Sequence, residues 1–154
     1  MRRIKGLGGI CLHVGCIPTK ALITSSDYVN ELKDLDMMGI HVESFKVDIQ
    51  KMVAWKDGIV NKLESGIRSL CQKNQIEVIE GYATFTGPNT VNISGKTDIN
   101  TVKFKDAIIA TGSSTIEIPG FKFDGQYIIS SDHAMDLKEI PNIVTGKQIG
   151  RAHV

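Results

Sequence analysis

No stretch of this sequence is apolar for anything near the roughly 20 residues that a membrane-spanning helix requires,. The opening Met1-Arg2-Arg3-Ile4-Lys5 is basic, but glycines follow it where a secretory leader would be apolar,. Charge of either sign is not in excess: the formal net charge is +1, which gives no electrostatic case for nucleic acid or for an acidic membrane surface. Internal repeats and low-complexity tracts are absent,. Cysteine is scarce as well, and three cysteines do not make the disulfide framework of a small secreted domain. Together these absences predict a soluble, intracellular chain without a targeting signal. Its 154 residues, 42% hydrophobic and 23% charged, suffice for one core.

What the chain does have is a specialised segment near its start. Residues 6–20 hold four glycines, two cysteines and a proline, a composition suited to a turn that leads into a helix. From Pro18 to about Leu35 the apolar residues Ala21, Leu22, Tyr28, Val29 and Leu32 fall mostly on one helical face,. Met37-Met38-Gly39 closes that helix, glycine being the usual stop,. Ile40-His41-Val42 reads as a short extended piece. Asp48 is placed to cap a second helix reaching about Lys73, with Ile49, Met52, Val53, Ile59, Val60, Leu63, Ile67 and Leu70 at three- and four-residue spacing,. Cys71 within it reads as a small buried hydrophobe,.

Beyond Asn74 the period becomes that of strands. Strands are predicted at 76–80, 82–85 and 90–93, with Gly87-Pro88-Asn89 as a turn, and again at 102–104 after a polar hairpin,. Asp106 to Gly112 is an almost unbroken apolar run closed by glycine, which suits a strand covered on both faces in a parallel α/β sheet,. A short helix is predicted around Ser131 to Leu137.

Cys11 and Cys16 lie five positions apart. In a regular α-helix that spacing separates them by roughly 7.5 Å along the axis, beyond the Cα separation of about 4.4 to 6.8 Å that a disulfide tolerates. Gly15 between them and Pro18 after them favour a late-starting first turn and relax that ban,. If Cys16 lies in that turn, the helix N-terminus would favour its thiolate. On the residues alone three readings stay open. The pair could be a redox disulfide, part of a zinc site, or two ordinary cysteines beside a glycine-rich turn. Zinc normally takes four ligands, and only Cys71 and four scattered histidines remain to supply them.

The stretch Gly8-Gly9-Ile10-Cys11-Leu12-His13-Val14-Gly15-Cys16-Ile17-Pro18-Thr19-Lys20 closely resembles the redox segment of the class I pyridine nucleotide–disulfide oxidoreductases. Within them it is most similar to the dihydrolipoamide dehydrogenase branch, whose usual form is GGxCLNVGCIPSK. His13 stands here for the common Asn and Thr19 for the common Ser. The likeness continues through Trp55-Lys56, Leu63 to Ile67, Gly81 to Gly87, Ile108 to Ser113 and Asp136 to Pro141, covering roughly residues 7 to 145. Glutathione reductase and mercuric reductase share the cysteine pair, but Ile17-Pro18-Thr19-Lys20 and the later segments suit the lipoamide branch better.

This resemblance implies an α/β fold: part of a Rossmann-like FAD-binding domain with a helical pair and an antiparallel β-meander. It implies that Cys11 and Cys16 form a redox-active disulfide, Cys11 exchanging with substrate and Cys16 lying against the flavin. Lys20 would sit beside the flavin ring, where a cation stabilises negative charge on the reduced cofactor. Gly8 and Gly9 open the redox segment, Ala83 falls where the backbone touches the adenine end of FAD, and Thr111, Gly112 and Ser113 match the strand end that closes over FAD. His13 stands at a tolerant position and reads as structural. No metal site is implied. The whole enzyme would oxidise dihydrolipoamide, carried on a lipoyl domain of a 2-oxoacid dehydrogenase complex, and pass electrons through FAD to NAD⁺. It would do so as a homodimer in the bacterial cytoplasm or mitochondrial matrix. Another class I reductase, specific for glutathione or mercuric ion, is the alternative, and a non-catalytic fragment is a third.

The same resemblance shows what to expect missing. A GxGxxG turn holding the FAD pyrophosphate should stand before Gly8, and Gly6-Leu7-Gly8-Gly9 does not match it in spacing,. Residues 1–145 therefore read as an incomplete FAD-binding domain without its first βαβ unit. Residues 146–154, where the NAD domain should begin, read as a truncated or non-native tail, and Ile149 to Val154 resembles a translated sequencing adapter. The NAD site is expected outside this chain, and weak FAD retention is expected of the chain by itself.

Overall fold

The computed structural model describes residues 6–95 and 100–141. The expected tail at 146–154 and the entry to the NAD domain lie outside the described residues. The element order is α1 (Gly9–His13), α2 (Cys16–Asp34), a 3-10 turn (Leu35–Met38), α3 (Ile49–Lys73), β1 (Tyr82–Gly87), β2 (Thr90–Ser94), β3 (Thr101–Lys103) and α4 (Ser131–Ala134).

The first two long helices form where periodicity placed them. Helix α3 starts at Asp48, whose carboxylate accepts the Lys51 N–H at 3.1 Å and so satisfies one of the four N-terminal amides that have no partner within the helix,. Gly39, at φ 78°, terminates the 3-10 turn that extends α2, a left-handed conformation that glycine adopts without steric cost,. The helices α1, α2 and α3 pack on one another. Their buried contacts centre on Leu12, Pro18, Ala21 and Val60, so the best-shielded part of the described molecule surrounds the first turn of α2. Lys56 joins this interface, 4% exposed. Its Nζ reaches the Asp57 carboxylate at 2.6 Å, which gives the buried ammonium the partner that burial demands. Cys71 is half-buried on α3 rather than enclosed.

The strands form a three-stranded antiparallel meander in the order β1-β2-β3. Ala83 pairs with Ile93, Phe85 with Val91, and Val91 with Val102, so these side chains share one face of the pleat. Phe85 and Phe104 meet edge to face with centroids 6.0 Å apart. A register shift between Phe85 and Gly87 bends the hairpin at the predicted Gly87-Pro88-Asn89 turn.

Two predicted strands take no ladder. Residues 76–80 and 106–112 run without strand pairing, and Ile108 is 96% and Ile109 71% exposed. The physical reason is that an apolar strand of a parallel sheet is completed only by neighbours on both sides. No such neighbour lies among the described residues. The final helix is also shorter than predicted, ending at Ala134.

Candidate functional site

The cysteine pair sits where one helix ends and another begins. Cys11 lies in α1, which stops at Val14, and Cys16 is the first residue of α2. The helical path is thus interrupted between the two sulfurs, which is what a five-residue spacing needs if they are to meet. Gly15 makes the interruption possible. A Cβ built there would fall 2.9 Å from the Ile10 carbonyl oxygen and 3.1 Å from the Cys11 Cα, so only glycine lets the two backbones approach this closely.

Both cysteines are exposed thiols in this structure. A hydrogen bond with the Cys16 side chain holds the Cys11 thiol above its usual range, helped by loss of water and by the neighbouring Cys16 charge,. The Cys16 and Ile17 backbone N–H groups oppose that shift by donating to the Cys11 sulfur. Helix α2 has neither a side-chain N-cap nor an acidic residue in its first turn, so those two amides are otherwise free for this role. Cys16 itself stands in that first turn, as the spacing predicts.

Gly15, Cys16, Thr19, Lys20 and Ile23 line an open hollow of about 540 Å³. Cys16 and Lys20, at i and i+4, therefore present a sulfur and an ammonium to the same space. Gly8, at φ 118°, is the N-cap of α1, and Gly9 follows at φ 64°. The His13 ring nitrogen donates to the Leu7 carbonyl at 3.0 Å, tying the lead-in to α1, so His13 acts as a clip. Gly112, at φ 75°, comes to α1 as well: a Cβ on it would stand 3.7 Å from the Ile10 Cδ1. Thr111 and Ser113 flank it, both exposed. Ala83 is set apart, in the exposed β1 strand, whose element contacts are with β2 alone.

The structure thus gathers Gly8, Gly9, Cys11, Cys16, Lys20 and Gly112 about one helix junction and leaves Ala83 on the meander. Two contributors escaped sequence reasoning. The amides of Cys16 and Ile17 carry no sequence signal beyond their place at a helix start. The Thr19 hydroxyl donates to the Met135 sulfur at 3.4 Å, across 116 positions, a pairing that no local pattern encodes. Among the described residues no group of three or more His, Cys, Asp or Glu is placed to hold a metal ion, and no helix is long and apolar enough to cross a membrane.

Residues 3–149 match the family described as pyridine nucleotide-disulphide oxidoreductase. The chain is 42% identical over 147 residues to a dihydrolipoyl dehydrogenase of Geobacillus stearothermophilus, covering 94% of this chain and 31% of that protein. It is 43% identical over the same length to the dihydrolipoyl dehydrogenase of Bacillus subtilis, with the same coverage. It therefore spans about a third of the length of these relatives. The crystal structure of LpdA from Mycobacterium tuberculosis superposes with a TM-score of 0.75 over 89% of this chain and 30% of that one, at 22% identity, so the fold is shared. The helical pair, the meander and the unpaired apolar run of 106–112 are accordingly part of a Rossmann-like nucleotide-binding domain. With fold, sequence and helix-junction cysteines in agreement, the chain belongs to the pyridine nucleotide-disulphide oxidoreductase family.

Proposed function

We propose that this chain supplies the dithiol–disulfide centre of a dihydrolipoyl dehydrogenase. The observation that carries the reading is the interrupted helix, which sets Cys11 and Cys16 on either side of the α1–α2 junction, beside a hollow lined by Cys16 and Lys20. In the oxidised centre, a thiolate of the substrate dithiol attacks Cys11 Sγ. The S–S bond breaks, Cys16 leaves as the thiolate, and a mixed disulfide joins Cys11 to substrate. The second substrate thiolate then attacks the substrate sulfur, closing the cyclic disulfide and releasing Cys11. The backbone amides of Cys16 and Ile17 receive the negative charge on the departing Cys11 sulfur,. The protein has gained the two electrons that the substrate lost.

The residues present suit the ring end of a flavin: a sulfur, a cation and a glycine-walled hollow share one surface. Cys16 and Lys20 would hold that end, with the Gly112 turn beside α1 closing it. FAD bound there supplies a two-electron acceptor that hands on to NAD⁺. Lys20 then orients and balances charge, and Cys16 stays beside it. Residues 1–145 act as the incomplete FAD domain, and the NAD site belongs to further sequence. The substrate is dihydrolipoamide on a lipoyl domain of a 2-oxoacid dehydrogenase complex, the whole enzyme is a homodimer, and its setting is the bacterial cytoplasm or mitochondrial matrix.

Oxidation followed by peptide mapping tests the centre directly: a Cys11–Cys16 linked peptide is expected, reducible by dihydrolipoamide in stoichiometric amount. A linkage that forms but exchanges only with glutathione would move the substrate assignment to another branch. Failure of the two cysteines to link under any oxidant would sink the reading.

A further inference from the structure

Apart from the Cys16 and Ile17 amides directed at the Cys11 sulfur, helix α2 begins without the devices that ordinarily secure a first turn. Its N-cap is Gly15, which has no side chain to accept an amide, and no acidic residue stands in the first turn,. Such an end frays. Fraying here would carry Cys16 away from Cys11, because Cys16 is the residue at which the helix starts.

Of three hydroxyls along the first half of α2, one reaches outside the helix. Thr24 donates to the Lys20 carbonyl at 2.9 Å and Ser25 to the Ala21 carbonyl at 3.4 Å, each four residues back within the helix,. Thr19 departs from this habit. Its amide keeps the helical bond to the Gly15 carbonyl, at 3.1 Å, while its hydroxyl reaches out to the Met135 sulfur.

Met135 is itself well placed to serve as an anchor. It is the C-cap of α4, whose start is fixed by a capping box: the Ser130 hydroxyl accepts from the His133 amide and the Ser130 amide donates to His133 Nδ1,. The residues after it, Asp136 to Lys138, share a cleft with Gln50 and Val53 at the start of α3. Met135 is thus seated between a capped turn and α3, and it presents its thioether to the redox helix.

We propose that the Thr19–Met135 contact is a positioning device for the cysteine pair, pinning the first turn of α2 from outside the helix and holding Cys16 in register with Cys11. Thr19 and Met135 are positioning residues. The inference rests on Cys11 and Cys16 being a dithiol–disulfide centre, since register matters only if the sulfurs must meet.

The test equilibrates the full chain with mixtures of reduced and oxidised glutathione and reads the Cys11–Cys16 linkage by peptide mapping. One oxidised glutathione takes two electrons and two protons from the pair and yields two reduced glutathiones. Thr19→Val, which keeps the branched shape and deletes the donor, should lower the equilibrium constant for the linkage about fivefold, the worth of one modest hydrogen bond. Met135→Leu should lower it similarly, and the double variant no further, because both remove the same contact. Thr19→Ser should restore the wild-type constant to within about twofold, by the same hydrogen-bond reckoning, which a merely structural role for the methyl group would not do. Should Thr19→Val fail to fold, Met135→Leu decides, being volume-conserving and on another element. An unchanged constant in Met135→Leu, or a serine variant that falls as far as valine, overturns the positioning role. A wild-type chain that forms no Cys11–Cys16 linkage at any glutathione ratio instead overturns the function on which it rests.

Discussion

Residues 6–74 enclose Leu12, Pro18, Ala21 and Val60 between helices, whereas in residues 100–141 the side chain of Ile108 stands 96% exposed and those of Phe121, Tyr127 and Ile140 are exposed too. Both regions leave large apolar side chains exposed, Ile23, Tyr28, Trp55 and Leu70 among them in the first, but only the first also encloses an apolar cluster. Helices close their own backbone hydrogen bonds within a segment, so α1, α2 and α3 can bury part of a face against one another. An apolar strand such as 106–112 needs ladders and layers contributed by distant sequence. The cysteine pair lies wholly in the helical region. The turn at Gly112 lies in the other.

The largest expected effect comes from breaking the junction that holds the first region together. Gly15→Ala would place a methyl against the Ile10 carbonyl oxygen and the Cys11 Cα, both backbone atoms that cannot yield by a rotamer change. A cost of about 1–3 kcal/mol is expected, as for overpacking against fixed structure, with loss of the Cys11–Cys16 linkage on oxidation. Urea unfolding and peptide mapping measure the two. Retention of both stability and linkage would show that the interrupted helix is not what brings the sulfurs together.

A milder pair of substitutions sharpens the contrast between regions. Val60→Ala, at a site 7% exposed in the helical core, should cost about 2 kcal/mol through lost burial and a residual cavity. Ile108→Ala, deleting a larger side chain, should change stability by no more than about 0.5 kcal/mol, because that side chain is in water already. Equal losses from the two would mean that residues 106–112 are covered in solution by something that buries Ile108.

The same contrast decides how much was legible in the sequence. The helices at 16–34 and 49–73 and the hairpin at 82–94 follow from local signals: apolar spacing, Asp48 as a cap, and Gly87-Pro88-Asn89 as a turn. The interruption between Cys11 and Cys16 was legible too, since a disulfide at that spacing excludes a continuous helix. What sequence could not supply was non-local. The strands predicted at 76–80 and 106–112 failed to pair because pairing is a property of neighbours, which their own residues do not encode. The Thr19–Met135 contact spans 116 positions and leaves no periodic trace.

The smallest expected effect concerns a part of the second region that does organise itself. The Asp124 carboxylate accepts the backbone N–H groups of Gln126 and Tyr127 at 2.8 Å and of Ile128 at 2.9 Å. Three donors favour the ionised form, and Asp124 accordingly titrates below the usual carboxylate range, the Gln126 and Ile128 amides contributing most,. The sign follows from linkage: a depressed folded-state value adds stability above the unfolded value and loses it as pH falls through the folded one. The turn at 124–128 should therefore stay intact across mildly acidic pH and loosen only below the ordinary carboxylate range. The amide proton shifts of Gln126, Tyr127 and Ile128, followed by NMR during an acid titration, should move together with one midpoint below that of an exposed carboxylate. Asp124→Asn should abolish that shared midpoint while leaving the Cys11–Cys16 linkage untouched, since a turn closed by its own amides needs nothing from the helical region. Movement of the cysteine equilibrium in that variant would instead show that the two regions are coupled through Ser130 and α4, and that the second region already bears on α2.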